Sequence, residues 1–177
     1  MKNMKNRSVQ LTLAVALLAA LPAFASNSSS NKPLPERVRH ELVMLPWVSI
    51  YDNMSFRVDG DTVTLFGSTI RPAIKSSAAN VVAKLEGVNR VVNEIEVLPL
   101  SPFDDRIRVA TARAIYGYGP LQRYAMGANP SIRIIVKNGN VSLQGVVATE
   151  MDKNLAFLRA NGVSGSFAVA NDLRTER

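Results

Sequence analysis

Residues 58–67 read VDGDTVTLFG, and residues 136–145 repeat the pattern as VKNGNVSLQG. Valine, valine, leucine and glycine recur at matching places in the two copies. In each copy an extended segment meets a turn that contains glycine, and a strand of alternating character follows it. The repeat therefore predicts two β-hairpins, and the final glycine of each copy is expected where the strand bends away.

The repeat continues beyond each hairpin with a helical segment, a Gly-Val pair and an asparagine followed by an acidic and an apolar residue. The Gly-Val pairs are at residues 87–88 and 162–163, and the asparagines are Asn93 and Asn171. The second copy is three residues shorter before its Gly-Val pair and regains that length before its asparagine. Length changes of this kind fall in loops, so both copies are expected to have the same order of elements.

Prolines and apolar periodicity predict the helices of the first copy. One helix opens at Pro35 and ends at Pro46, and a second opens at Pro72 and ends near Gly87. Trp47, the only tryptophan, is expected in the core. Three apolar residues at helical spacing form the predicted buried stripe of the first helix: Val38, Leu42 and Leu45.

Helix starts are also marked in the second copy. Ser101 is a predicted N-cap with Pro102 at the first helical position, and Thr149 with Asp152 has capping-box spacing. The predicted buried face of the helix that starts at Pro102 consists of Phe103, Ile107, Ala110 and Ala114.

Strands complete the predicted fold. In the first copy they cover residues 50–58, 62–66 and 90–98. In the second copy they cover residues 132–136 and about 166–173, in addition to the hairpin strand that follows the Asn-Gly-Asn turn. The predicted fold class is α+β, with two tandem αββαβ domains, each a small three-stranded sheet with two helices packed on it. The domains are placed at residues 34–99 and 100–177, with an insert at about 116–131. Because each is small for an independent core, they are expected to pack on each other.

The first 25 residues have the pattern of a secretory signal peptide. Lys2, Lys5 and Arg7 precede an uncharged apolar run, and a small-residue motif ends at Ala25. Cleavage there gives a mature chain that begins at Ser26, with residues 26–33 as a flexible polar leader. The sequence has no cysteine, which excludes disulfides and a lipid-modified cysteine. These features predict an exported, cysteine-free protein.

The residue types disfavour an enzyme. His40 is the only histidine, on the exposed flank of a predicted helix, and without cysteine it has no partner for a metal cluster or a catalytic triad. Carboxylates are scattered along the chain, and residues 117–120 lack the lysine and hydroxyl of a phosphate loop. Neither a cofactor nor a metal is expected. Nucleic acid would suit the basic composition, but the export signal argues against it as a partner.

The hairpin motif, the helix after it, the Gly-Val turn and the Asn-acid-apolar strand together resemble the BON domain (bacterial OsmY and nodulation), here in two tandem copies. The resemblance covers nearly all of the mature chain. It implies a periplasmic protein, peripherally associated with the membrane, that binds phospholipid surfaces or envelope partners rather than catalysing a reaction. It also implies a role in envelope integrity or in tolerance of envelope and osmotic stress. The long insert of the second copy departs from the family pattern.

Charge and apolar residues predict where a ligand binds. Residues 26–100 hold eight basic and eight acidic residues, whereas residues 101–177 hold ten basic and six acidic ones. Each cation near an anionic lipid surface contributes about 1 kcal/mol, so the second domain is the predicted binding domain. Val109, Ala112 and Tyr116 form an apolar strip opposite the predicted core face of its first helix. Arg106 and Arg113 lie along one edge of that strip, as an interfacial contact requires.

Two further tyrosines on the insert add rings of the kind enriched at membrane interfaces. The predicted lipid- or partner-binding surface consists of Arg106, Val109, Arg113, Tyr116, Tyr118, Arg123 and Tyr124. Three interpretations of it stay open: direct contact with an anionic phospholipid membrane surface, an interface with an envelope protein or with the first domain, and ordinary solvated surface.

Overall fold

A computed structural model of the chain describes residues 32–127 and 129–176. The predicted signal peptide and most of the predicted leader lie outside the described residues. The first copy consists of α1 (Leu34–Val43), β1 (Asn53–Asp59), β2 (Thr62–Thr69), α2 (Pro72–Ala83), β3 (Arg90–Asn93) and β4 (Glu96–Val97). The second consists of α3 (Pro102–Tyr116), a 3-10 helix (Gly119–Ala125), β5 (Ile132–Lys137), β6 (Asn140–Val147), α4 (Glu150–Asn161) and β7 (Ala168–Thr175).

Each copy forms its own sheet. Strands β1 and β2 are an antiparallel hairpin, and β3 and β4 pair with β2 in parallel. Strands β5 and β6 are the second hairpin, and β7 runs parallel to β6. The predicted α+β class with tandem αββαβ units is confirmed. The third strand of the first copy is interrupted where the amide of Ile95 turns to the side chain of Asn93, at 3.2 Å.

The closing glycine of each hairpin has the same geometry in both copies. Gly67 has φ +113° and Gly145 has φ +116°, a region that side-chain-bearing residues rarely adopt. A Cβ atom would lie 2.2 Å from the carbonyl oxygen of Asn53 in the first case and 1.9 Å from that of Ser131 in the second. Glycine is therefore required at both places because the partner strand's backbone passes too close for a side chain.

The repeated asparagine also has one role in both copies. The side-chain amide of Asn93 donates to the carbonyl of Lys75, at 2.8 Å, and that of Asn171 donates to the carbonyl of Lys153, at 3.1 Å. Each bond joins the third strand of its copy to the fourth residue of the second helix, in its first turn. The two asparagines thus position the helix on the sheet.

Apolar side chains fill one core in each copy. The burial predicted for Val38, Leu42 and Leu45 is confirmed, and all three pack with Val63 of the hairpin. The predicted end of the helix at Pro46 is wrong, because α1 ends at Val43 and Leu45 lies just beyond it. The expectation for Trp47 is wrong: 77 % of this residue is exposed. It follows the end of α1 with a positive φ of 69°, which turns the chain so that the ring points away from the core.

The predicted core face of α3 is only partly right. Ile107 is buried, but 38 % of Phe103 is exposed, and Ala110 and Ala114 are half-buried. The face that packs inward carries two charged residues, one hydroxyl and two isoleucines: Asp104, Arg108, Thr111, Ile107 and Ile115. Charged residues can face the core here because they bond to backbone groups of the second hairpin.

These bonds are short and specific. The carboxylate of Asp104 accepts from the amides of Asn138 and Gly139, at 2.9 and 2.8 Å, in the turn of the hairpin. Arg108 donates to the carbonyl of Val136, at 2.6 Å, and to the carboxylate of Asp105, at 2.5 Å. Helix α3 is therefore fixed to β5 and its turn by polar contacts as well as by burial.

The two copies contact each other, as their small size predicts. The amide of Ile134 donates to the carbonyl of Ile50, at 2.8 Å, and Arg133 donates to the carbonyl of Ser49, at 2.9 Å. An ion pair between Lys137 and Glu96, at 2.6 Å, adds a further link. The segment before β1 and strand β5 form most of this contact.

Candidate functional site

Three of the predicted binding residues lie together on the outer side of α3. Arg106, Val109 and Arg113 are spaced three and four residues apart, so they share one face of the helix. All three are exposed, and Val109 is 41 % exposed. With Phe103 at one end and Ala110 between the arginines, they form a continuous surface that we call the α3 ridge.

The charges of the α3 ridge are not neutralised by neighbouring carboxylates. Within residues 32–127 and 129–176, neither Arg106 nor Arg113 forms an ion pair or a side-chain hydrogen bond. Asp105 borders the same shallow depression, but its carboxylate pairs with the buried Arg108. The ridge therefore presents two cations beside apolar side chains, an arrangement suited to an anionic, partly apolar ligand.

An aromatic pair extends the ridge at the start of α3. The rings of Phe103 and Phe167 lie 5.9 Å apart, and the guanidinium of Arg106 lies 5.8 Å from the centre of the Phe103 ring. Phe167 is 75 % exposed, and its ring covers the backbone of Gly139. Neither ring was predicted as part of the site, because the helical wheel assigns Phe103 to the core and Phe167 falls within the predicted final strand. The sequence signal for Phe167 is a large apolar residue that closely follows Gly165, just before β7.

The first copy covers the other end of the ridge. Tyr116 is half-buried, and its hydroxyl donates to the carbonyl of Ile132, at 2.5 Å. Burial raises the pKa of Tyr116 to about 12. Tyr51, from the segment before β1, lines a shallow depression of about 510 Å³ together with Val109, Arg113 and Tyr116. Tyr116 thus has a structural role, whereas Val109 remains accessible.

The remaining predicted residues lie at a different place, around the start of α4. Arg123 and Tyr124 both bond to the buried carboxylate of Asp152, at 2.5 and 2.8 Å. The Tyr124 hydroxyl also accepts from the amide of Ala148, at 2.8 Å. Tyr118 lies against the guanidinium of Arg159, 4.8 Å from the ring centre. These three residues join the 3-10 helix to α4, so the structure does not bring them to the α3 ridge.

The carboxylate of Asp152 is held in its ionised form. Burial alone raises its pKa, but the hydrogen bonds from Thr149, Tyr124 and Arg123 outweigh burial and leave the pKa below its usual range. Thr149 is also the helix N-cap, because its hydroxyl accepts from the amide of Asp152, at 3.1 Å. The cluster therefore stabilises the start of α4.

No group of histidine, cysteine and carboxylate side chains in the described part of the chain is placed to hold a metal ion. Likewise, none of the described helices has the length and apolar content needed to cross a bilayer.

Comparison with known proteins gives a family match. The sequence model of the family described as "BON domain" matches residues 31–99 and 123–177, one segment for each copy. Among curated proteins, no sequence matches significantly.

Solved structures from one secretion-system protein show a distant likeness. The first is described as "CdsD - The structural protein of the Type III secretion system of Chlamydia trachomatis: C-terminal domain", with 12% identity and a TM-score of 0.33, covering 81% of this chain and 98% of that one. A second structure of CdsD from the same organism has 12% identity and a TM-score of 0.31, covering 81% and 93%. Similarity this low carries no information about function.

Proposed function

Because this chain belongs to the BON domain family, we propose that it is a non-enzymatic periplasmic module that binds anionic phospholipid surfaces through its second copy. BON domains occur in periplasmic or envelope proteins, and the family is generally non-catalytic. The proposed role is to support envelope integrity or stress tolerance as a peripheral membrane protein, exported by the predicted signal peptide.

The observation that carries the proposal is the α3 ridge. Exposed apolar side chains enter the boundary between headgroups and acyl chains, while adjacent cations pair with phosphates. On the ridge, Phe103 and Val109 are the apolar residues, and Arg106 and Arg113 lack a carboxylate partner within the described chain. A cation near an anionic surface contributes about 1 kcal/mol, so the two arginines together contribute about 2 kcal/mol at low salt.

Co-sedimentation of the mature chain with liposomes tests the proposal. Binding is expected to vesicles that contain anionic phospholipid, to weaken as salt is raised, and to be much weaker with purely zwitterionic vesicles. The double variant Arg106→Glu/Arg113→Glu is expected to bind at least about 30-fold more weakly, because about 2 kcal/mol of attraction is lost and repulsion is added.

A matched control separates local charge from net charge. Arg90→Glu/Arg174→Glu makes the same change in net charge at two exposed strand positions outside the α3 ridge. This variant is expected to retain most of the binding. Equal loss of vesicle binding in both variants would mean that the net charge of the protein determines binding, and would exclude α3 as the site. Absence of binding to anionic vesicles at low salt would refute lipid binding.

A second candidate function is a protein-interaction or structural module of the envelope that does not bind lipid. It is favoured by the depression beside Tyr51, which lies between the two copies and is lined by Val109, Ala112 and Tyr116. A concave apolar surface suits a protein side chain better than a flat bilayer. Indifference to vesicles of either composition would favour this function.

A further inference from the structure

Three apolar side chains are exposed where α1 ends. Val43 is 49 %, Met44 is 66 % and Trp47 is 77 % exposed. Together they form a surface that we call the Trp47 patch. Single exposed apolar residues are common, but here three lie within five positions, including the only tryptophan, and none of them packs on the core of the first copy.

The backbone holds the tryptophan outward at a cost to the fold. Trp47 has φ +69°, in the left-handed region, which is unfavourable for a bulky residue. The only other described residue with positive φ that is not glycine is Asn138, whose side chain tolerates that region. Arg71 donates to the carbonyl of Trp47, at 2.8 Å, and fixes the turn. A defined backbone conformation thus holds the ring exposed. Because the ring is not buried within this chain, its burial does not offset the backbone strain.

The patch lies close to the α3 ridge although it belongs to the first copy. Tyr51, which lines the depression beside Val109 and Arg113, is four residues from Trp47. Four residues span at most about 14 Å, so the Cα atom of Trp47 is within that distance of the Cα atom of Tyr51. The two surfaces are therefore near enough to meet one ligand of membrane dimensions.

The chemistry beside the patch fits an anionic bilayer. Arg39 and His40 line a depression with Val43, in which Glu36 is the acidic residue, and the exposed Arg71 bonds to the carbonyl of Trp47. A second depression lined by Val43 contains Arg133 and the buried Asp52. Tryptophan is enriched where a bilayer meets water, because its ring is largely apolar and its N–H is polar. Cations beside an exposed tryptophan match headgroup phosphates beside acyl chains.

We propose that the Trp47 patch is a second membrane contact, through which the first copy inserts Trp47 into the headgroup boundary of an anionic phospholipid bilayer. The choice of ligand rests on the proposed function, but the site and its residues are separate from the α3 ridge. Two contacts on one chain strengthen attachment, because once one is bound the other meets the surface at a high effective concentration.

The native fluorescence of Trp47 tests this directly, since the chain has no other tryptophan. The mature chain is titrated with anionic vesicles whose phospholipids carry bromine atoms, as quenchers, at the upper positions of their acyl chains. The expected result is a blue shift of the emission and strong quenching on binding. Vesicle binding without a blue shift or quenching would overturn the proposal and leave the α3 ridge as the lipid site.

A variant and its control give a second readout. Trp47→Asn removes the ring but keeps a side chain that tolerates positive φ, so the fold is expected to be at least as stable. Its affinity for anionic vesicles is expected to fall by at least about tenfold, as for the loss of one buried apolar side chain. Met151→Gln removes a similarly exposed apolar residue, 72 % exposed on α4, and is expected to bind normally. Thermal unfolding checks that both variants are folded.

The outcomes separate this inference from the proposed function. If Trp47→Asn weakens binding and Arg106→Glu/Arg113→Glu does not, the Trp47 patch stands and the α3 ridge fails. If only the double arginine variant weakens binding, the patch fails. If the unmodified chain binds neither anionic nor zwitterionic vesicles, both fail, and Trp47 instead remains as a candidate contact for a protein.

Discussion

The two copies share the glycine and asparagine positions that fix the backbone, and they differ in their helices and surfaces. Gly67 and Gly145 make the same close approach, and Asn93 and Asn171 make the same bond to the second helix. The first helices differ: α1 has 10 residues and no side-chain cap, whereas α3 has 15 residues and is capped by Ser101. The repeat thus retains the positions that fix the chain path, while helices and connections are free to acquire new contacts.

The second helices differ at one instructive position. Asp152 of α4 corresponds in the repeat to Ile74 of α2, and both are buried. Ile74 is an apolar residue that needs no partner, whereas Asp152 requires Thr149, Tyr124 and Arg123. The insert supplies two of these three partners. The insert and the buried carboxylate therefore depend on each other.

The largest expected effect comes from the shared glycines. Gly67→Ala and Gly145→Ala each force a Cβ atom against a carbonyl oxygen at a positive φ, so each is expected to reduce the free energy of unfolding by about 3 kcal/mol. Urea denaturation of both variants measures this. The comparison predicts similar losses in the two copies, because the geometry is nearly the same.

Gly60→Ala is the matched control for these variants. Gly60 also has a positive φ, of 62°, but no atom lies within 4 Å of its added Cβ. Only the backbone strain remains, so a loss of about 1 kcal/mol is expected. A loss at Gly60 as large as that at Gly145 would mean that conformation, rather than close approach, determines the need for glycine.

A smaller effect on stability depends on pH and concerns Asp152, whose equivalent in the first copy is Ile74. Asp152→Asn is expected to lower the free energy of unfolding by about 2 kcal/mol at neutral pH, because hydrogen bonds to a buried charge are weakened. The pKa of Asp152 is lowered in the folded chain, so its stabilisation is present above the unfolded-state value of about 4 and is lost as pH falls through the folded-state value. Urea denaturation across pH 3 to 7 should therefore show the gap between the variant and the unmodified chain closing below about pH 4. A gap that stays constant with pH would contradict this assignment.

The smallest expected effect concerns the shared asparagines. Asn93→Ala and Asn171→Ala each remove one side-chain bond to a helix carbonyl, which is expected to lower stability by about 1 kcal/mol. Thermal unfolding of the two variants sharpens the comparison between the copies. A much larger loss in one copy would mean that its asparagine has a further role there.

Much of the fold was predictable because its signals are local. The hairpin turns follow from glycine-containing motifs, and the caps at Ser101 and Thr149 follow from residues three positions apart; both caps are confirmed, at 3.2 and 3.1 Å. The break in the third strand of the first copy was not predicted. It depends on the side chain of Asn93 competing with the ladder for the amide of Ile95.

The errors arose where distant parts of the chain meet. The helical wheel placed Phe103 inside and did not include Asp104 in the buried face, but Asp104 is buried because its partners are amides in a turn more than thirty residues later. Of the predicted site, Arg106, Val109 and Arg113 lie together, whereas Arg123 is held by Asp152 from another element. Helical periodicity assigns side chains to the inner or outer face by their polarity. It does not predict which distant residues will form hydrogen bonds with a buried polar side chain.

The contact between Ile134 and Ile50 affects more than the arrangement of the two copies. Strand β5 is at the edge of its sheet, and an uncovered edge offers free amides and carbonyls on which another chain can add a strand and aggregate. The segment before β1 occupies one of those amides. Since the first copy is synthesised before the second, the segment that provides this cover has already been synthesised when β5 emerges from the ribosome. The order of the copies along the chain therefore makes the covering segment available to β5 while the second copy folds.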